Sequence, residues 1–210
     1  MRFIQFSIVC LLSIVAFSQD RVEASLPINV SYYGGLLLNP GLSIGTDYDL
    51  TEKLKIKEKK RKKVSIKKGY ALTPQISFYS QTQSQVNLIS SIALTKKRTR
   101  NNKRFREFGI SLGHTQKFNS GETLVVGSNG VVSGKAISSR AYFTPGVSLG
   151  CGRYFNIKDA EPIALYSKLN ALQFLGYNSA WVPEFNFEIG VRFYPGITIN
   201  RKPVKSKVKA

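Results

Sequence analysis

The stretch at 184–194, EFNFEIGVRFY, constrains the fold more than any other part of the chain. Phe185, Phe187, Ile189, Val191 and Phe193 fall on every second residue, with Glu184, Asn186, Glu188, Gly190, Arg192 and Tyr194 between them. A period of two places the two sets on opposite faces of a β-strand. One face is greasy. The other carries two carboxylates and a guanidinium, which a soluble core would not accommodate but a narrow polar barrel interior would.

Seven further segments repeat this alternation: 28–38, 41–50, 69–81, 86–95, 107–117, 142–152 and 163–174. In 69–81, Tyr70, Leu72, Pro74, Ile76 and Phe78 oppose Ala71, Thr73, Gln75, Ser77 and Tyr79; Pro74 removes one ladder donor. Turn formers separate the segments, as in Asn39-Pro40-Gly41 and Gly127-Ser128-Asn129-Gly130, where the latter predicts a long hairpin. The pattern predicts an all-β, antiparallel up-and-down β-barrel of eight transmembrane strands. An even strand number returns both ends of the domain to the same side.

Charge sorts by the same parity. Of 31 Lys and Arg residues, ten lie in 52–68, seven in 96–106 and five in 201–210, all on the side of the chain ends. The connections on the other side are predicted to be neutral at their tips. The basic runs read as solvated connections too charged to pack. Their functional reading is attraction to anionic headgroups, or to lipopolysaccharide in the inverted orientation. Aromatic residues are not interleaved with the lysines, which argues against nucleic acid.

At the start, Arg2 precedes an apolar run from Phe3 to Phe17, with Ala16 and Ser18 as small residues at −3 and −1. This predicts a signal peptide over 1–18 and an exported chain. Residues 19–27 form a lead-in, 28–194 the barrel and 195–210 a basic tail. Cleavage removes Cys10 and leaves Cys151 alone, so no intramolecular disulfide is expected.

Alternation does not decide whether the greasy face meets lipid or a soluble interior. Lipid is favoured by the small polar residues on the other face, by the absence of charge at mid-strand apolar positions, and by aromatic residues near strand ends. The alternative is a soluble periplasmic barrel holding an apolar ligand. The signal peptide, YYGGLLLNPGLSIG, the alternating strands and the terminal EFNFEIGVRFY resemble the small eight-stranded outer-membrane β-barrel proteins of Gram-negative bacteria. The resemblance covers about 28–194 and implies an outer-membrane location, lipid partners and a structural or interaction role. Such barrels usually end on an aromatic residue read during insertion; here PGITINRKPVKSKVKA follows Phe193-Tyr194.

Chemistry has few candidates. His114 is the only histidine, and Cys151 lacks an evident base. Ser65-Ile66-Lys67-Lys68 matches S-x-x-K inside a lysine-rich run, and Gly130–Lys135 falls one residue short of a phosphate loop. No catalytic residues, cofactor or metal ligands are expected, and no wide pore. The predicted interior charge network is Asp47, Asp49, Lys168, Glu184, Glu188 and Arg192, pairing across strands because neighbours on one strand lie too far apart.

Overall fold

A computed structural model describes residues 22–35, 39–59, 62–81, 85–119, 123–126, 132–135, 138–155, 162–177, 180–196 and 198–201. The predicted signal peptide, the GSNG tip and the end of the tail lie outside these residues. Fourteen strands are present among them. The first five are β1 (Val22–Ser25), β2 (Ile28–Gly34), β3 (Gly41–Thr46), β4 (Tyr48–Lys59) and β5 (Lys62–Gln81). There follow β6 (Gln85–Arg100), β7 (Arg104–Asn119), β8 (Thr123–Val126), β9 (Val132–Lys135) and β10 (Ser138–Phe143). The last are β11 (Gly146–Phe155), β12 (Ile163–Tyr177), β13 (Ala180–Phe193) and β14 (Thr198–Arg201).

The main sheet is antiparallel and has ten strands, eight of which close into a hydrogen-bonded ring. The ring runs β2, β3, β5, β6, β7, β11, β12, β13 and back to β2. β4 prolongs β3, and β10 leads into β11, so the eight segments expected from the sequence account for the ring. The breaks have local causes. The register sets Thr46 opposite Pro74, which has no N–H to offer, and β3 gives way to β4 there. Pro145 interrupts the β10–β11 strand in the same way.

Following paired residues round the ring gives its stagger. The path from Ile76 through Ile44, Val30, Val191, Leu165, Arg153, Arg104 and Arg100 returns to β5 at Ile66, ten residues from its start. Ten residues of stagger over eight strands correspond to a strand tilt of about 40°.

The two faces of the ring are inverted relative to a water-soluble sheet protein. Arg192 and Glu188, pointing inward, are each 1% exposed, whereas Leu149 and Phe185, pointing outward, are 61% and 60% exposed. Ile44, Ile76, Leu94, Ile110, Leu112, Leu165 and Ile189 share that outer belt. Inside, glycines make room for rings: a Cβ on Gly152 would sit 2.4 Å from Cζ of Phe105, and one on Gly190 would sit 2.8 Å from Cζ of Tyr166.

The basic runs at 52–68 and 96–106, expected as solvated connections too charged to pack, are paired as strands. They extend the strands β4–β5 and β6–β7 as hairpins beyond the ring. Leu54, Ile56, Val64 and Ile66 keep the strand alternation going through the lysines, and Glu52 pairs with Lys67 at 2.8 Å. At the β6–β7 tip, Asn101 and Asn102 have φ of 50° and 51°, and Lys103 N–H donates to Arg100 O at 3.1 Å. Asparagine tolerates this left-handed conformation, which type I′ hairpin turns require. Many of the basic side chains remain exposed.

The lead-in and the tail also meet. β1 and β14 pair antiparallel, Val22 with Arg201 through Ser25 with Thr198. Away from that end, β8 and β9 form the arms of the predicted hairpin, Val126 opposite Val132.

Candidate functional site: a charged interior

The ring interior is built from the polar positions of the alternation, so its charges come from several strands. Arg192 lies opposite Asn29 in the β13–β2 ladder. Its Nε donates to Asn29 Oδ1 at 2.7 Å, Nη2 lies 2.8 Å from Asp47 Oδ2, and Nη1 lies 2.9 Å from Glu107 Oε1. Asp47 also accepts hydrogen bonds from Asn29 Nδ2 at 3.1 Å and Thr73 Oγ1 at 3.0 Å. Lys97, directly opposite Glu107 in the β6–β7 ladder, is 3.5 Å from Glu107 and 3.7 Å from Asp47. Two cations thus face two carboxylates in a formally neutral quartet. Phe105 lies against both cations, 5.1 Å from the Arg192 guanidinium and 5.0 Å from Lys97 Nζ. Burying four charges is tolerable only with such mutual pairing and with hydrogen bonds to the remaining acceptor sites.

A second cluster surrounds Glu188, which the register places opposite Lys168. Its carboxylate accepts from Ser31 Oγ at 2.9 Å and Tyr166 OH at 2.8 Å, and from Gln75 and Asn170 at 3.3 Å each. Lys168 Nζ is 3.7 Å away. Glu184 forms the third cluster, accepting from the Tyr79 hydroxyl and from Asn186 Nδ2 at 2.8 Å.

Of the six residues anticipated from the sequence, Asp47 and Arg192 share the quartet, Lys168 and Glu188 share the second cluster, and Glu184 stands in the third. Asp49 lies at the mouth of the ring, lining a cavity of about 80 Å³ with Glu52, Lys67, Lys97 and Tyr194. Lys97 and Glu107 were missed. Their signal was parity: Lys97 continues the inward set Thr95, Ala93 and Ser91 by one step, and Glu107 lies between Phe105 and Gly109 in the inward set of β7.

Space inside is small. A cavity of about 20 Å³ among Tyr33, Gln75, Ser91, Lys168 and Asn170 has room for a single water. Side chains fill the interior, as an eight-stranded ring permits. His114 points outward, opposite Ser90 and Phe143, and Cys151 is exposed on the outer face with Ser167 Oγ 3.6 Å from its sulfur. Ser65–Lys68 falls in β5, on extended backbone. Among the described residues no group of three or more His, Cys, Asp or Glu side chains is placed to hold a metal ion, and no helix is long and apolar enough to cross a membrane.

Comparison with family models, with curated proteins and with solved structures finds no match to this chain.

Proposed function

We propose that the chain is an outer-membrane β-barrel protein with a structural or interaction role, without catalytic activity and without a wide pore. The observation that carries this reading is the inverted burial: a neutral-paired charged interior beneath an outer belt of exposed leucine, isoleucine and phenylalanine. In water such a belt would forgo about 25 cal/mol for each Å² of apolar surface left unburied. In a bilayer the same belt is already in its preferred solvent. Eight residue steps from Phe185 to Phe193, tilted by about 40°, rise about 20 Å, close to the height of a membrane barrel's apolar band once side-chain reach is included. Backbone closure of the ring meets the other demand of hydrocarbon, that no sheet edge be left unpaired at that depth.

The soluble alternative would require an apolar cavity for its ligand. The interior instead holds Arg192, Asp47, Glu107, Lys97, Glu188 and Lys168, and the cavity of about 20 Å³ beside Lys168 is lined mostly by polar side chains. Membrane fractionation of the expressed chain tests the proposal. Extraction only by detergent, together with slower or faster gel migration of the unheated protein than of the boiled one, is expected. Recovery as a stable monomer in plain buffer would defeat it.

A further inference from the structure

The inward and outward faces of the basic extensions follow opposite charge rules. Inside, the register sets unlike charges opposite each other, Lys97 with Glu107. Outside, it sets like charges opposite each other. One outward row runs Lys53, Lys68, Arg98 and Arg106 across β4, β5, β6 and β7. The next row toward the basic end carries Lys55, Arg100, Arg104 and Arg153, on β4, β6, β7 and β11, with Ile66 of β5 between the first two. All eight cations are exposed. None of them forms an ion pair with a carboxylate among the described residues. Like charges directly opposite on neighbouring strands repel. The arrangement is therefore incomplete without anions between the rows.

What adjoins the rows identifies the anion. On β5, β6, β7 and β11 the adjacent outward row is Tyr70, Lys96, Phe108 and Leu149, and the one beyond it is Leu72, Leu94, Ile110 and Val147. Cations thus give way to apolar side chains within two residue steps on β5 and β7, about 7 Å, and within four on β6 and β11, about 13 Å. The shelf is also one-sided. At the same end of β2, β12 and β13 the outward residues are Ile28, Ile163 and Phe193, without charge. Five adjacent strands span about 20 Å, room for more than one headgroup.

We infer that this shelf is a binding site for anionic glycerophospholipids of the leaflet at the basic end, with the arginines on the phosphates and the acyl chains along Phe108, Leu94 and Leu149. Arginine suits the task because its planar fork grips phosphate oxygens in pairs. The site rests on the outer-membrane reading, and its test separates the two.

The full chain is held in neutral detergent with equal amounts of phosphatidylglycerol and phosphatidylcholine, and retained lipid is read by native mass spectrometry. Parent protein is expected to retain phosphatidylglycerol at least about a hundredfold over phosphatidylcholine. Each cation near a membrane surface contributes about a fivefold change in affinity, so Arg98→Gln, Arg104→Gln and Arg106→Gln combined should lower phosphatidylglycerol retention about a hundredfold. Arg140→Gln, at the opposite end of the ring, should leave it unchanged. Equal retention of the two lipids, or unchanged retention by the triple variant, overturns the site. So does displacement of phosphatidylglycerol by inorganic phosphate or by lipopolysaccharide. Heat-modifiable migration is scored in the same samples. A detergent-dependent, heat-modifiable protein without the preference removes the lipid site alone, whereas a protein that needs no detergent removes both readings.

Discussion

Arg192 ties together several strands of the ring. Through Asn29, Asp47 and Glu107 it links β13 to β2, to the β3–β4 junction and to β7, with Lys97 of β6 completing the quartet. Replacing it by alanine removes two charge-assisted contacts at 2.8 and 2.9 Å and leaves two buried carboxylates facing one lysine. Breaking a buried pair from one side costs about 3–5 kcal/mol. Lys97, at 3.5 and 3.7 Å from the same two oxygens, can draw closer and offset part of that loss. A net loss of about 3 kcal/mol is expected for Arg192→Ala. Arg192→Lys keeps the charge but not the fork, and should lose about 1–2 kcal/mol. The assay is urea unfolding of protein folded into lipid vesicles, following the gel band of the unheated sample and the fluorescence of Trp181, the only tryptophan. An alanine variant within about 0.5 kcal/mol of the parent would show that the quartet contributes nothing net, and would refute the reasoning.

Other positions test other parts of the structure. Ile189→Lys, in the exposed belt midway between Phe185 and Phe193 and opposite Tyr32 and Ser167, should cost about 2–4 kcal/mol in vesicles; a gain in stability would point to water outside the ring. Gly190→Val would bring a Cβ to 2.5 Å from Ser31 Cβ and 2.6 Å from Val30 O, so a loss of at least about 1–3 kcal/mol is expected in the same urea titration. Gly176→Ala is its control: nothing lies within 4 Å, φ is +83°, and backbone strain alone should cost about 1 kcal/mol. Asn102→Val, at the positive-φ tip of β6–β7, should destabilise by about 1–2 kcal/mol, while Asn102→Gly should be close to neutral; equal effects would show that the turn is not strained.

The ring was legible because alternation is a direct consequence of strand geometry, and eight segments carried it. Pro74 left its mark as well, since a residue without an N–H must break one ladder, and β3 ends opposite it. The hairpin character of the lysine-rich runs was hidden by composition. Reading 52–68 by its charge masked Leu54, Ile56, Val64 and Ile66, which keep the period of two. The same habit hid Lys97, whose neighbours Lys96 and Arg98 point outward while it points in. Asn101-Asn102, within the second run, was the one local sign of a tight turn. Partner choice inside the ring was not legible. Arg192 reaches Glu107 from three strands away along the ring, and that contact depends on the ring's diameter and stagger rather than on any spacing along the chain.

The pairing of β1 with β14 makes the strand order cyclic. Val22 lies beside Arg201 in that ribbon, so a linker of a few residues could join the two positions covalently. A new opening could then be cut elsewhere, for instance between Gln81 and Gln85, which the β5–β6 hairpin holds opposite each other. In such a permuted chain β6 would come first and β5 last, and EFNFEIGVRFY would become an internal strand with the same neighbours. Whether assembly tolerates the exchange would tell position in the ring apart from order of synthesis.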